Sequence, residues 1–99
     1  MTVKITLTKP IEAHGQKVSE LELREPNGGD IAECGLPFEM AVGTNGQSTG
    51  KVDGAAVLRY ISVLANIPPS SAKMLAPRDF MTALGEVLGF FGESSPETP

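Results

Sequence analysis

Cysteine occurs once, at Cys34, so no disulfide can form within the chain, and a zinc site would have only the lone His14 to recruit beside carboxylates. A half-buried free thiol in a reducing compartment is the reading for Cys34. Cations are few and stand singly: eight Lys and Arg against twelve Asp and Glu give a net charge of −4 and a pI near 4.8. Without a basic stripe the counterion release that drives nucleic-acid binding has no source, which disfavours DNA or RNA as a partner. Long apolar runs are missing too. The N-terminal MTVKITLT has no apolar h-region, and the best apolar run is broken by Arg59, short of the roughly 20 residues a membrane span needs. These absences point to a soluble, cytoplasmic chain.

What is present is an ordinary globular composition, 40% apolar and 20% charged in 99 residues. A chain of this length makes one domain, able to remove about two-thirds of its unfolded surface from water. The strongest pattern is helical. Over residues 53–67, Val57, Tyr60, Ile61, Leu64 and Ile67 recur at steps of three and four and so share one stripe, with Arg59, Ser62 and Asn66 on the other side. Asp53 is placed to cap this helix or to sit in its first turn, and Pro68-Pro69 stops it.

Upstream, Val3, Ile5 and Leu7 alternate with Thr2, Lys4, Thr6 and Thr8, the period of a strand with one buried face, which Pro10 then ends or edges. After the turn signal Ala13-His14-Gly15, Leu21 and Leu23 share a face while Val18 is out of phase with them, which indicates a bulge or a later strand start. A β-hairpin over about residues 2–24 follows, with its apolar face against helices, since a hairpin alone is marginal. His14 has no partner at sequence range and reads as a solvated turn residue.

Asp30 is placed to cap a short helix through Ile31, Ala32, Glu33 and Cys34, limited by Gly35 and Pro37. Residues 40–52 are Gly-rich, without period, and hold the Asn45-Gly46 pair, so they read as a mobile loop. Within them Gly46, Gly50 and Lys51 resemble half of a phosphate-binding loop, but the glycines are one residue too close and Val52 stands where Ser or Thr should follow the lysine. Beyond the central helix, Ser70 and Ser71 are placed to cap a short helix through Lys73, Met74 and Leu75, and Pro77 opens another. In that last helix Phe80, Leu84, Val87, Leu88 and Phe91 form an apolar stripe, Asp79 lies near the positive end of the dipole, and Gly85 and Gly89 are candidates for a close helix–helix approach. Of the adjacent pair Phe90-Phe91, one is expected outside the core and open to a partner. The acidic, Pro-containing residues 93–99 are expected to form a disordered tail behind a single domain at 1–92.

The fold expected is α+β, an N-terminal β-hairpin packed on a small C-terminal bundle of about three to four helices. No nucleophile–base pair, metal-ligand spacing or phosphate cradle survives, so neither enzyme chemistry nor a cofactor is expected. An acyl carrier would need an Asp-Ser-Leu triplet opening a helix, and a helix-turn-helix would need more cations on its last helix than Arg78.

Taken in order, Leu7-Thr8-Lys9-Pro10-Ile11, Gly15, Glu20-Leu21-Glu22-Leu23-Arg24-Glu25-Pro26 and Asp30, then Leu64-Ala65-Asn66-Ile67-Pro68-Pro69-Ser70-Ser71, Leu75, Asp79-Phe80 and Phe90-Phe91, the chain resembles the Mu-like tail assembly chaperones of tailed bacteriophages. The departure is the Gly-rich stretch at 40–52, where a more continuous helical approach to the central helix is expected. The resemblance implies a non-enzymatic protein of the infected or lysogenic host's cytoplasm, absent from the mature virion, that holds the tape measure protein soluble until tail tube subunits polymerise around it. It also implies the tail tube protein and a frameshifted longer form of the same chain as further associates. Long amphipathic helices of the tape measure protein would dock in a groove, and Phe80, Leu84, Phe90 and Phe91 are the candidate partner-binding residues. The competing class is a small structural or regulatory protein-binding module, either a virion tail component or a transcription-associated binder.

Overall fold

The computed structural model describes residues 2–42 and 48–92, so the Asn45-Gly46 turn and the 93–99 tail lie outside the described residues. Strands β1 (Thr2–Ala13) and β2 (Gln16–Arg24) form an antiparallel hairpin, followed by helix α1 (Gly28–Cys34). A second antiparallel hairpin, β3 (Phe38–Val42) and β4 (Ser48–Val52), precedes helices α2 (Gly54–Ala65), α3 (Pro69–Ala72) and α4 (Pro77–Gly92). The N-terminal hairpin on four helices is the α+β arrangement that the sequence patterns predict.

β1 runs through Pro10 instead of ending there. Between the pairs Thr6–Glu20 and Ile11–Val18, four residues of β1, Leu7 to Pro10, face only Ser19 of β2. Pro10, which has no N–H to give, falls within this bulge, where no regular ladder bond is asked of it. The three-residue excess is odd, so the inward face of β2 changes parity across it, and this places Val18 out of phase with Leu21 and Leu23. His14 and Gly15 close the hairpin with φ of 55° and 75°, the doubly left-handed turn whose twist matches the strands.

Ile5, Leu7, Ile11 and Ala13 of β1, Leu21 and Leu23 of β2 and Val57, Tyr60, Ile61 and Leu64 of α2 belong to one buried core, together with Cys34, Ile67, Ala72, Ala83 and Val87. α2 is capped as expected: the Asp53 carboxylate accepts from the amides of Ala55 and Ala56 at 3.1 and 3.2 Å. It ends at a left-handed Asn66 (φ 56°), before Pro68-Pro69 is reached. Ser62, expected on the solvated side, is buried, because its hydroxyl donates to the Ile67 carbonyl at 2.6 Å and closes the chain reversal after the helix.

Three further local expectations are corrected. Residues 40–52 are not simply a loop: Phe38 pairs with Val52, Glu39 with Lys51 and Val42 with Ser48. Flanks this short around a Gly-rich centre show no alternation in the sequence. Gly50 and Lys51 therefore lie in a strand, which disposes of the phosphate-loop likeness. The N-cap of α1 is Asn27, whose side chain accepts from Asp30 N at 3.0 Å, while Asp30 reaches back to Asn27 N at 2.9 Å, a reciprocal capping box. Finally, α3 stops at Ala72 and has no side-chain cap; Ser71 instead donates to the Glu12 carbonyl of β1 at 2.6 Å.

Candidate protein-binding surface

α4 carries all four candidate residues, and it is fastened to the rest of the molecule at both ends. At its first turn Asp79 is 1% exposed. Its carboxylate accepts the Thr8 amide (2.9 and 3.0 Å), the Thr8 hydroxyl (3.1 Å) and the Lys9 amide (3.2 Å), and so satisfies the donors that the β1 bulge frees from the ladder. Those amides, Thr8's foremost, hold the carboxyl below its ordinary value against the cost of burial, and nearby Arg78 adds to this. A position in the first turn favours an acid on dipole grounds, but the oxygens of Asp79 are engaged by β1. At the other end the Phe91 ring lies edge-on to Tyr60 of α2 (centroids 5.5 Å apart, 79°) and to Phe38 of β3 (6.0 Å, 83°).

Phe80, Leu84, Phe90 and Phe91 are each half-buried and packed against the core. The expectation that one of Phe90 and Phe91 stands clear of the core is thus overturned. About 100° separates consecutive helical residues, and the end of α4 is sunk deep enough for both to reach apolar neighbours. Among the described residues Gly85 and Gly89 serve no close approach: a Cβ at either would meet nothing within 4 Å.

The outward apolar residues lie elsewhere. Met81 is 61% exposed, and Leu88, two turns along the same side of α4, is half-buried but outside the packed core cluster. With Leu84 and Gly85 between them, they form a second stripe at steps of three and four on the flank of α4. That spacing is legible in the sequence, but the stronger stripe of Phe80, Leu84, Val87 and Phe91 masks it. Leu36, Met74 and Val52 are the other large apolar side chains exposed among the described residues.

The remaining polar side chains act as struts. Arg24 grips Asp30 through two bonds of 2.7 and 3.0 Å, which holds the Asp30 carboxyl below its ordinary value. Arg59 donates twice to the Cys34 carbonyl (3.1 and 3.2 Å) and Tyr60 donates to the Gly35 carbonyl, so adjacent residues of α2 tie down the end of α1. Burial pushes the Cys34 thiol up, away from thiolate reactivity. Exposed His14 sets Nε2 3.0 Å from the Asn66 carbonyl at the end of α2. Among the described residues no three His, Cys, Asp or Glu are grouped to hold a metal ion, and no helix is long and apolar enough to cross a membrane.

No curated protein and no solved structure matches the chain. A family model does: that of phage tail assembly chaperone proteins, E, or 41 or 14, over residues 4–92. The match takes in both hairpins and all four helices, including the β1 bulge, Asp79 and the flank of α4, and the chain belongs to the phage tail assembly chaperone family.

Proposed function

We propose that this chain binds the tape measure protein and keeps it soluble in the host cytoplasm until the tail tube protein polymerises around it, and that the chain is absent from the finished virion. The role is one of binding without catalysis. The observation that carries this reading is the apolar surplus of α4: Phe80, Leu84, Phe90 and Phe91 are only half-buried, and Met81 is largely exposed. An amphipathic client helix laid along such a surface buries its own apolar stripe, the helix-in-groove mode, and is thereby withdrawn from aggregation. Phe80, Leu84, Phe90 and Phe91 are the proposed contact residues, with the N-terminal hairpin as the scaffold that orients α4 through Asp79.

Co-expression with the tape measure protein of the same phage or prophage tests this, with client solubility and co-purification scored with and without the chain. Soluble client that co-elutes with the chain supports the reading, and Leu84→Glu should abolish the effect. An insoluble client in both cases, repeated with a frameshift-extended form of the chain, overturns it. If the chain remains in purified tails, it is a structural component of the virion instead.

A further inference from the structure

We propose that the flank of α4 marked by Met81 is a self-association surface, on which a second copy of this chain lays its own α4 antiparallel about a two-fold axis. Three observations meet there. First, Met81, Leu84, Gly85 and Leu88 form a charge-free stripe at the three- and four-residue steps by which paired helices interlock. Met81 and Leu88 are not taken up by the chain's own core.

Second, the stripe is self-complementary. A two-fold axis passing between positions 84 and 85, the middle of the 16-residue helix, sets Met81 opposite the partner's Leu88 and Leu84 opposite the partner's Gly85. Gly85 then has a use that its own chain does not provide. Among the described residues a Cβ there would meet nothing within 4 Å, so the helix carries a destabilising glycine at the axis, where the bare backbone lets the partner's Leu84 approach closely.

Third, the ends are complementary in charge. Arg78 lies one turn before Met81, at the N-terminal end of the stripe. Across the axis it meets the C-terminal end of the partner's α4, whose last turn has no basic residue and which Glu93 follows in the sequence. A cation beside a helix C-terminus is favourable, and the two-fold provides the contact twice. A parallel pairing would set like ends together and lose both contacts. The inference concerns the free chain and holds whether or not the client reading does. Where both hold, the second copy covers the stripe until a client helix displaces it.

The test is sedimentation velocity of the full chain across a wide concentration range, with circular dichroism to show that each variant is folded. The expected result is a reversible dimer whose Kd rises at least about tenfold in Met81→Glu and in Gly85→Leu, which insert a charge or block the close approach. The register is tested by cysteine pairing. Gly85→Cys, beside the axis, should give a disulfide-linked dimer on mild oxidation. Met81→Cys should not, because the two copies of position 81 lie about 10 Å apart along the axis, beyond the reach of a disulfide. A chain that stays monomeric at every concentration overturns the proposal. So does a dimer indifferent to Met81→Glu and Gly85→Leu, or one in which Met81→Cys cross-links to itself and Gly85→Cys does not.

Discussion

The amide of Thr8 donates to both oxygens of the Asp79 carboxylate, at 2.9 and 3.0 Å, across 71 residues of sequence. The contact joins the irregularity of β1 to the first turn of α4, and each explains the other. A bulge of four residues frees backbone donors in the interior, and an interior carboxylate needs donors to remain charged.

Asp79 is therefore expected to dominate the polar contribution to stability. Asp79→Ala leaves the Thr8 and Lys9 amides without acceptors, and Asp79→Asn turns an amide donor toward them. Both should lower Tm clearly more than Thr8→Val, which removes one hydroxyl bond worth about 1 kcal/mol. Thermal unfolding of the three variants checks the order.

The same contact sets an acid limit. Asp79 and Asp30 are both held below the ordinary carboxylate value of 3.8, the first by backbone amides and the second by Arg24. Above about pH 5 both are ionised folded or unfolded, and their contribution is complete. As pH falls from about 5 through 3.8 the unfolded chain takes up the protons first. The contribution then shrinks, and it is lost once the folded values are passed. Urea midpoints should be level down to about pH 5 and fall below it, with a shallower fall in Asp79→Asn.

The far end of α4 rests on aromatic edges. Phe91→Ala removes the contacts to Tyr60 and Phe38 together and should cost about 2–4 kcal/mol, with loss of near-ultraviolet dichroism from Tyr60. Tyr60→Phe keeps the ring and loses only the hydroxyl bond to the Gly35 carbonyl, for about 1 kcal/mol.

Gly89→Ala should stabilise the chain by about 0.5–1 kcal/mol, since the position is helical and a methyl group meets nothing. Gly15→Ala should do the reverse, because φ is 75° there. Chemical denaturation of the pair gives opposite signs.

The first hairpin, the central helix and α4 were legible because each keeps one period long enough to see: Val3-Ile5-Leu7 at two, Val57-Tyr60-Ile61-Leu64 at 3.6. Even the bulge left a trace, in the misplaced phase of Val18. β3 and β4 left none, because five residues flanking a Gly-rich centre do not establish a period. The helix dipole alone accounts for an acid at position 79, and only the fold reveals that its oxygens face a strand 70 residues away. Asn27 and Asp30 are both of the residue types that cap helices, and which of them caps α1 depends on where the chain enters it. At the candidate surface the apolar positions of α4 were visible, but not the division between those turned to the core, such as Val87, and those turned out, such as Met81. That division is set by where α4 docks, a tertiary fact.

The second hairpin leaves the globule between two fixed points. The Gly35 carbonyl is held by Tyr60 on the way out, and on the return the Asp53 amide donates to the Pro37 carbonyl at 2.9 Å. Its two ends are thus neighbours before the first strand begins. Chain added within the hairpin beyond Phe38, whose ring packs on Phe91, leaves the spacing of the ends to that clasp. The hairpin is therefore a natural position at which to splice in a tag or a fluorescent reporter.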